Sequence, residues 1–184
     1  MNKLQKKMPR GGGFAERFAR VNGVRLRYLV GGQGSPVVLL HGYAETSHMW
    51  RPIMPSLAER HTVVVPDLRG AGASAKPPSG YDKKNMAVDI HELTETLNLE
   101  GVRIVGHDIG LMVAYAYAAQ FPEMTERVVL MDAFLPGIGD WKSVWLRRLE
   151  SRTLPTPTAC RWALSRVGGR SWISKDTPGS PAKT

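Results

Sequence analysis

Three short apolar runs constrain this chain more than any other feature: "SPVVLLHG", "HTVVVPD" and "GVRIVGHD". Each is a continuous apolar stretch bounded by Gly or Pro and lacks the alternation of a strand with one wet face. Each therefore reads as a strand buried on both sides. Segments with a helical reading separate them. "TSHMWRPIMPSLAER" lies between the first two, and in "YDKKNMAVDIHELTETLNLEG" the residues Met86, Ile90, Leu93 and Leu97 recur at helical spacing, with an end near Gly101. "IGLMVAYAYAAQFPEM" predicts an Ala-rich helix closing before Pro122, and "TERVVLMDA" a further buried strand. Upstream, "FAERFARV" and "VRLRYLVGG" flank Asn22-Gly23, a hairpin signal that predicts an antiparallel edge. The expected class is α/β, a doubly wound and mostly parallel sheet.

Composition sets the limits of this reading. In 184 residues, 42% apolar and 22% charged is a globular balance with material for one core. A basic flexible leader is expected over 1–16 and the core over 17–146. An irregular basic tail, 147–184, has 17 of its 38 residues as Gly, Pro, Ser or Thr and keeps neither period. Its abrupt onset after "GIGDWKSVWL" fits a disordered tail or a shift of reading frame, and we favour the shift. The net charge of +9 comes mostly from this tail, where eight Lys/Arg face only Glu150 and Asp176. Without clustering on a folded face, nucleic acid is not expected as a partner. Cys160 is the single cysteine and no Cys/His cluster has ligand spacing, so no metal or other cofactor is expected. No run approaches the roughly 18 apolar residues of a membrane span, and the leader lacks the apolar middle of a secretion signal. A cytoplasmic protein without membrane association is the expectation.

One stretch carries chemistry. Gly106-His107-Asp108-Ile109-Gly110 has the spacing of a nucleophile elbow, with Asp where serine is usual. Small neighbours permit a tight strand-to-helix turn that exposes the central side chain, and the helix that follows favours an anion at its N-terminus. Serine suits attack on a carbonyl. At a saturated carbon it would be left as an ether, whereas aspartate becomes an alkyl ester that water can cleave. Asp108 therefore points to displacement at an sp3 carbon, as in epoxide opening or carbon–halogen cleavage.

Three motifs in this order, "LLHGYAETSHMW", "PDLRGAGAS" and "VGHDIG", resemble the α/β-hydrolase superfamily in its epoxide-hydrolase and haloalkane-dehalogenase branch, over about residues 17 to 146. The resemblance implies Asp108 as nucleophile, with the backbone N–H groups of Tyr43 and Ile109 as oxyanion hole. Asp132 falls where some relatives place the charge-relay acid; a strand-end carboxylate satisfying loop amides is the other reading. The resemblance also implies a later histidine that activates water, a largely helical lid and further strands. No histidine occurs after His107 and no lid is readable. The expectation is a C-terminally truncated sheet of strands one to six, inactive alone, whose last strand leaves an apolar edge prone to self-association. A small apolar epoxide is the leading substrate. Dehalogenases of the branch carry Trp after the nucleophile and Asn or Trp near the position of Tyr43, and fluoroacetate dehalogenases carry arginines absent from "HDIGLMVAYAYA". The alternatives are a dehalogenase-like hydrolase, a non-catalytic remnant or binding module, and a basic-tail nucleic-acid binder.

The remaining polar candidates read as structural. His41 precedes the nucleophile in a fold whose triad histidine comes last, and His107 diverges from Asp108 on the elbow. Asp67 and Arg69 tie down a loop. His48, His61 and His91 are expected to face solvent, on or beside helices, and Tyr115 and Tyr117 to pack.

Overall fold

The computed structural model describes residues 13–132 and the backbone of a short strand at 163–165. The hairpin forms as its sequence predicts. β1 (Ala15–Val21) and β2 (Val24–Gly31) pair antiparallel around Asn22 and Gly23, whose φ angles of 43° and 74° suit this residue pair and few others. β3 (Ser35–Leu40), β4 (His61–Pro66), β5 (Val102–His107) and β6 (Thr125–Met131) are mutually parallel. β2 joins them antiparallel through β4, and the sheet order is β1-β2-β4-β3-β5-β6-β7. The strand order reverses direction at β3, so the crevice at the C-terminal ends of β3 and β5 is where an open α/β sheet binds its ligand.

β7 (Ala163–Ser165) pairs antiparallel with β6 over Val128–Leu130. Two expectations change with it. The tail 147–184 was expected to hold no packed element, and the edge of β6 to be bare. Three residues there complete backbone hydrogen bonds that β6 would otherwise leave open, which requires no side-chain periodicity that a sequence pattern could reveal. The rest of the tail and the leader before residue 13 lie outside the described residues.

Helices cover the sheet unequally. α2 (Lys83–Thr96) starts where the Asp82 carboxylate accepts the Asn85 N–H at 2.9 Å, and it buries Met86, Ile90 and Leu93 against one face of the sheet. Leu97 closes it and is buried too, but Asn98 turns left-handed at φ 51°, so the helix ends before the expected Gly101. α3 (Ile109–Gln120) packs beside it through Val113, Ala114 and Tyr117. On the other face, Pro52 and Pro55 limit the expected helix after β3 to a 3₁₀ turn at Ser47–Trp50 and the five-residue α1 (Met54–Ala58). That face is thinly covered among the described residues. β3 and β4 are buried on both sides as predicted, whereas β5 alternates, with Arg103, Val105 and His107 half-buried.

Candidate functional site

The elbow sits where β5 meets α3. Asp108 adopts φ 50° and ψ −118°, a conformation an L-residue takes only when its surroundings impose it. Two glycines impose it by close approach. A Cβ on Gly106 would lie 2.2 Å from the Gly110 carbonyl oxygen, and one on Gly110 would lie 2.5 Å from that of Leu40. The first turn of α3 is thus pressed against both β5 and β3. The Asp108 N–H donates to the Met131 carbonyl at 3.0 Å, which ties the corner to β6.

The Asp108 side chain is neither buried nor free. Its Oδ2 accepts the Tyr43 N–H at 2.8 Å, while Ile109 begins the helix immediately after it. Helix-opening amides have no partner within the helix, and that of Ile109 follows Asp108 directly in the chain. Asp132, at φ 54°, follows β6 and is largely exposed; its Oδ2 lies 3.6 Å from His107 Nε2. The four candidate residues therefore come from three consecutive strand ends of the sheet, β3, β5 and β6.

The loop that carries Tyr43 is held from below by His41, which is 1% exposed. Its Nε2 accepts the Leu68 N–H at 2.9 Å, which leaves the proton on Nδ1 to donate to the Gly42 carbonyl, also at 2.9 Å. Burial pushes the imidazole below its ordinary range, against the opposing pull of the Gly42 carbonyl and of Asp67 and Glu45. With both nitrogens committed to backbone, His41 is structural, as its place before the nucleophile implied. Asp67 accepts the Ser47 N–H at 2.9 Å and the Ala73 N–H at 3.1 Å. Burial works to raise this carboxyl, yet those bonds and the Arg27 guanidinium outweigh it and hold it low. Arg69 grips Asp89 with two hydrogen bonds, Nε to Oδ2 at 2.6 Å and Nη2 to Oδ1, and the bond raises the guanidinium further above its usual range.

Three expectations for the remaining side chains fail. His61 opens β4 and shares a hydrogen with the Ser35 hydroxyl at 2.8 Å, so it lies on a strand and is half-buried. His91 stacks on Phe121 with ring centres 3.7 Å apart, because the face of α2 that carries it turns toward the end of α3. Tyr115 is 47% exposed, whereas Tyr117, two residues on, is fully buried with its hydroxyl 3.3 Å from Thr94 Oγ1. A helix bearing apolar residues all round gives no sign of which of two tyrosines faces out. His48 is exposed as expected.

Glu45 was not singled out in the sequence. Its Oε2 accepts the Gly42 N–H at 2.8 Å and lies 3.2 Å from His107 Nδ1. The available signal was its place three residues after Gly42, close enough to reach back to that amide. The partner histidine is 62 residues away in sequence, beyond what spacing can report. Beside this loop lies a cavity of about 440 Å³, bounded by residues 41–46, residues 68–72, Tyr81 and Ile109. Tyr43 and Tyr81 are exposed at it, 76% and 40% respectively. A carboxylate at a helix head, backbone donors around it and an adjacent open cavity together suit nucleophilic attack on a small, partly apolar molecule. Among the described residues no group of three His, Cys, Asp or Glu is arranged to hold a metal ion.

A family model described as alpha/beta hydrolase fold matches residues 35–160. The chain is 43% identical over 162 residues to a protein of Corynebacterium sp. (strain C12) named soluble epoxide hydrolase, covering 86% of this chain and 54% of that one. It is 38% identical over 125 residues to a fluoroacetate dehalogenase of Burkholderia sp., covering 65% and 41%. The solved structure of the epoxide hydrolase CorEH without ligand superposes with a TM-score of 0.67 at 37% identity, covering 75% of this chain and 50% of that one. The chain spans about half the length of the relatives it matches.

Proposed function

The chain belongs to the α/β-hydrolase fold family, and from that membership we propose that Asp108 is a nucleophile that takes up the alkyl group of a small apolar epoxide. The observation that carries this reading is the 2.8 Å bond from the Tyr43 N–H to Asp108 Oδ2. It assigns the two carboxylate oxygens different work. Oδ2 stays on the backbone donor while Oδ1 attacks a ring carbon; the carbon–oxygen bond of the epoxide breaks, and its electron pair leaves on the ring oxygen, which takes a proton from solvent water. The product is an ester of Asp108. In its hydrolysis, charge develops on Oδ2 within reach of the Tyr43 and Ile109 amides, and such donors are worth about 3 kcal/mol each. Asp132 is retained in the proposal as the acid awaiting a histidine, and the cavity beside Tyr43 as the substrate's place.

The similarity to proteins named epoxide hydrolase, in sequence and in structure, supports the choice of epoxide. This sequence has no histidine after His107, so the ester is proposed to persist on the chain as it stands. Intact-mass measurement after incubation with 1,2-epoxyhexane is the test. The expected result is one added epoxide mass, mapped to Asp108 and absent in Asp108→Asn, with no steady release of diol. An unmodified Asp108 would overturn the nucleophile, and sustained diol formation would overturn the persistent ester. The similarity to a fluoroacetate dehalogenase keeps a dehalogenase-like reading second; halide release from 1-chlorohexane, with the same ester on Asp108, would favour it. A cytoplasmic location belongs to the same proposal, supported by a relative whose name describes a soluble enzyme.

A further inference from the structure

His107 and Glu45, which the proposed chemistry leaves unused, meet beside the elbow. Its Nδ1 is 3.2 Å from Glu45 Oε2, and its Nε2 is 3.6 Å from Asp132 Oδ2. One imidazole thus lies between a carboxylate from the loop after β3 and another from the end of β6, on the residue that precedes Asp108. The convergence is tight. A Cβ placed on Gly42 would lie 2.6 Å from Glu45 Oε2, 2.8 Å from His107 Nδ1 and 3.0 Å from Asp108 Cβ. The same Glu45 oxygen that meets the imidazole accepts the Gly42 N–H at 2.8 Å, and the next amide along the chain is that of Tyr43.

We infer that His107 and Glu45 are positioning residues which set the Tyr43 N–H on Asp108 Oδ2, the imidazole fixing the Glu45 carboxylate and that carboxylate fixing the peptide that leads to Tyr43. Glu45 Oε2 meets both the Gly42 amide and the imidazole, and a carboxylate oxygen held at two points has little freedom to turn. If the pair is lost, the peptide from Gly42 to Tyr43 is free to rotate away from Asp108. Among the described residues, the carboxylates that meet His107 are those of Glu45 and Asp132. For its catalytic consequence this arrangement rests on Asp108 being the nucleophile; its geometry does not.

The test reads the amide itself. In the full chain, hydrogen exchange and the NMR shift of the Tyr43 amide are followed at one fixed pH. Asp108→Asn serves as the control that the amide reports the carboxylate. Glu45→Ala and His107→Asn should each speed Tyr43 exchange at least about tenfold, the loss expected for one hydrogen bond to a charged group. Core amides such as those of Val38 and Ile104 should keep their protection. Glu45→Gln retains an acceptor for the Gly42 N–H but not the charge. It should restore most of the protection lost in Glu45→Ala, whereas Glu45→Leu, which fills similar space without an acceptor, should not. Unchanged Tyr43 exchange in Glu45→Ala and His107→Asn overturns the inference, as does full protection in Glu45→Leu. If these amide effects appear while 1,2-epoxyhexane leaves Asp108 unmodified, the epoxide reading fails and the positioning role stands. If the ester forms while Tyr43 exchange is unchanged in both variants, the inference fails and the epoxide reading stands.

Discussion

Gly106 shows how much one missing side chain determines. The elbow depends on α3 starting against the strand that leads into it, and a methyl group at 106 would have to displace the backbone of Gly110, because the neighbour at 2.2 Å is a carbonyl oxygen and not the end of a flexible side chain. Gly106→Ala is therefore expected to destabilise the chain by about 1–3 kcal/mol, the range for overpacking a well-filled site. It should also disturb Asp108 more than the fold. Urea unfolding would show the first effect and loss of the Tyr43 amide protection the second; a variant with unchanged midpoint and unchanged amide would contradict this account of the corner. Asp108 holds φ 50° for the same reason, imposed from both sides and not by its own preference.

Among the elements, the hairpin and α2 are joined by polar side chains. Asn22, at the tip of the β1–β2 turn, donates through Nδ2 to Asp89 at 2.8 Å and to Asn85 at 3.0 Å. Asp89 in turn holds Arg69, with side chains only 2% and 4% exposed. One buried carboxylate thus fastens the turn, the helix and the "PDLRGAGAS" loop that walls the cavity. Breaking such a pair from one side leaves an uncompensated buried charge at a cost of about 3–5 kcal/mol, while removing both partners costs much less. Arg69→Met is expected to fall in that range and Arg69→Met with Asp89→Leu well below it. Equal losses in the single and double variants would show that the pair matters through packing alone.

At the scale of the whole molecule, two buried groups make stability depend on pH in one direction. His41 is held below its ordinary range by burial, so the folded state keeps it neutral where an unfolded chain would begin to protonate it. Its contribution is fully present above the unfolded value, near 6.5, and declines as pH falls from there toward the folded value. Asp67 is also held low, and its contribution declines further into acid, below the unfolded carboxylate value near 4. Chemical denaturation at a series of pH values should show stability falling below about pH 6.5, with His41→Gln removing the first part of the fall. Stability that rises between pH 7 and pH 5.5 would contradict both the tautomer and the burial assigned to His41.

The apolar runs "SPVVLLHG" and "HTVVVPD" determined the parallel strands β3 and β4 by themselves, because a strand buried on both faces cannot carry polar residues in its middle, whereas "GVRIVGHD" marked β5 as a strand but not its alternating burial. Asn22-Gly23 determined the hairpin, because few residue pairs reach its φ angles, and the glycines around Asp108 marked the corner, because no other residue fits there. Local sterics and local hydrophobicity are written in neighbouring residues, so they are legible. Which tyrosine of α3 turns outward, that His91 stacks on Phe121, that three tail residues extend the sheet beside β6, and that Glu45 meets His107 across 62 positions were decided only by the tertiary structure. These depend on which surfaces the sheet order brings together, and a contact between distant segments leaves no periodicity in either of them.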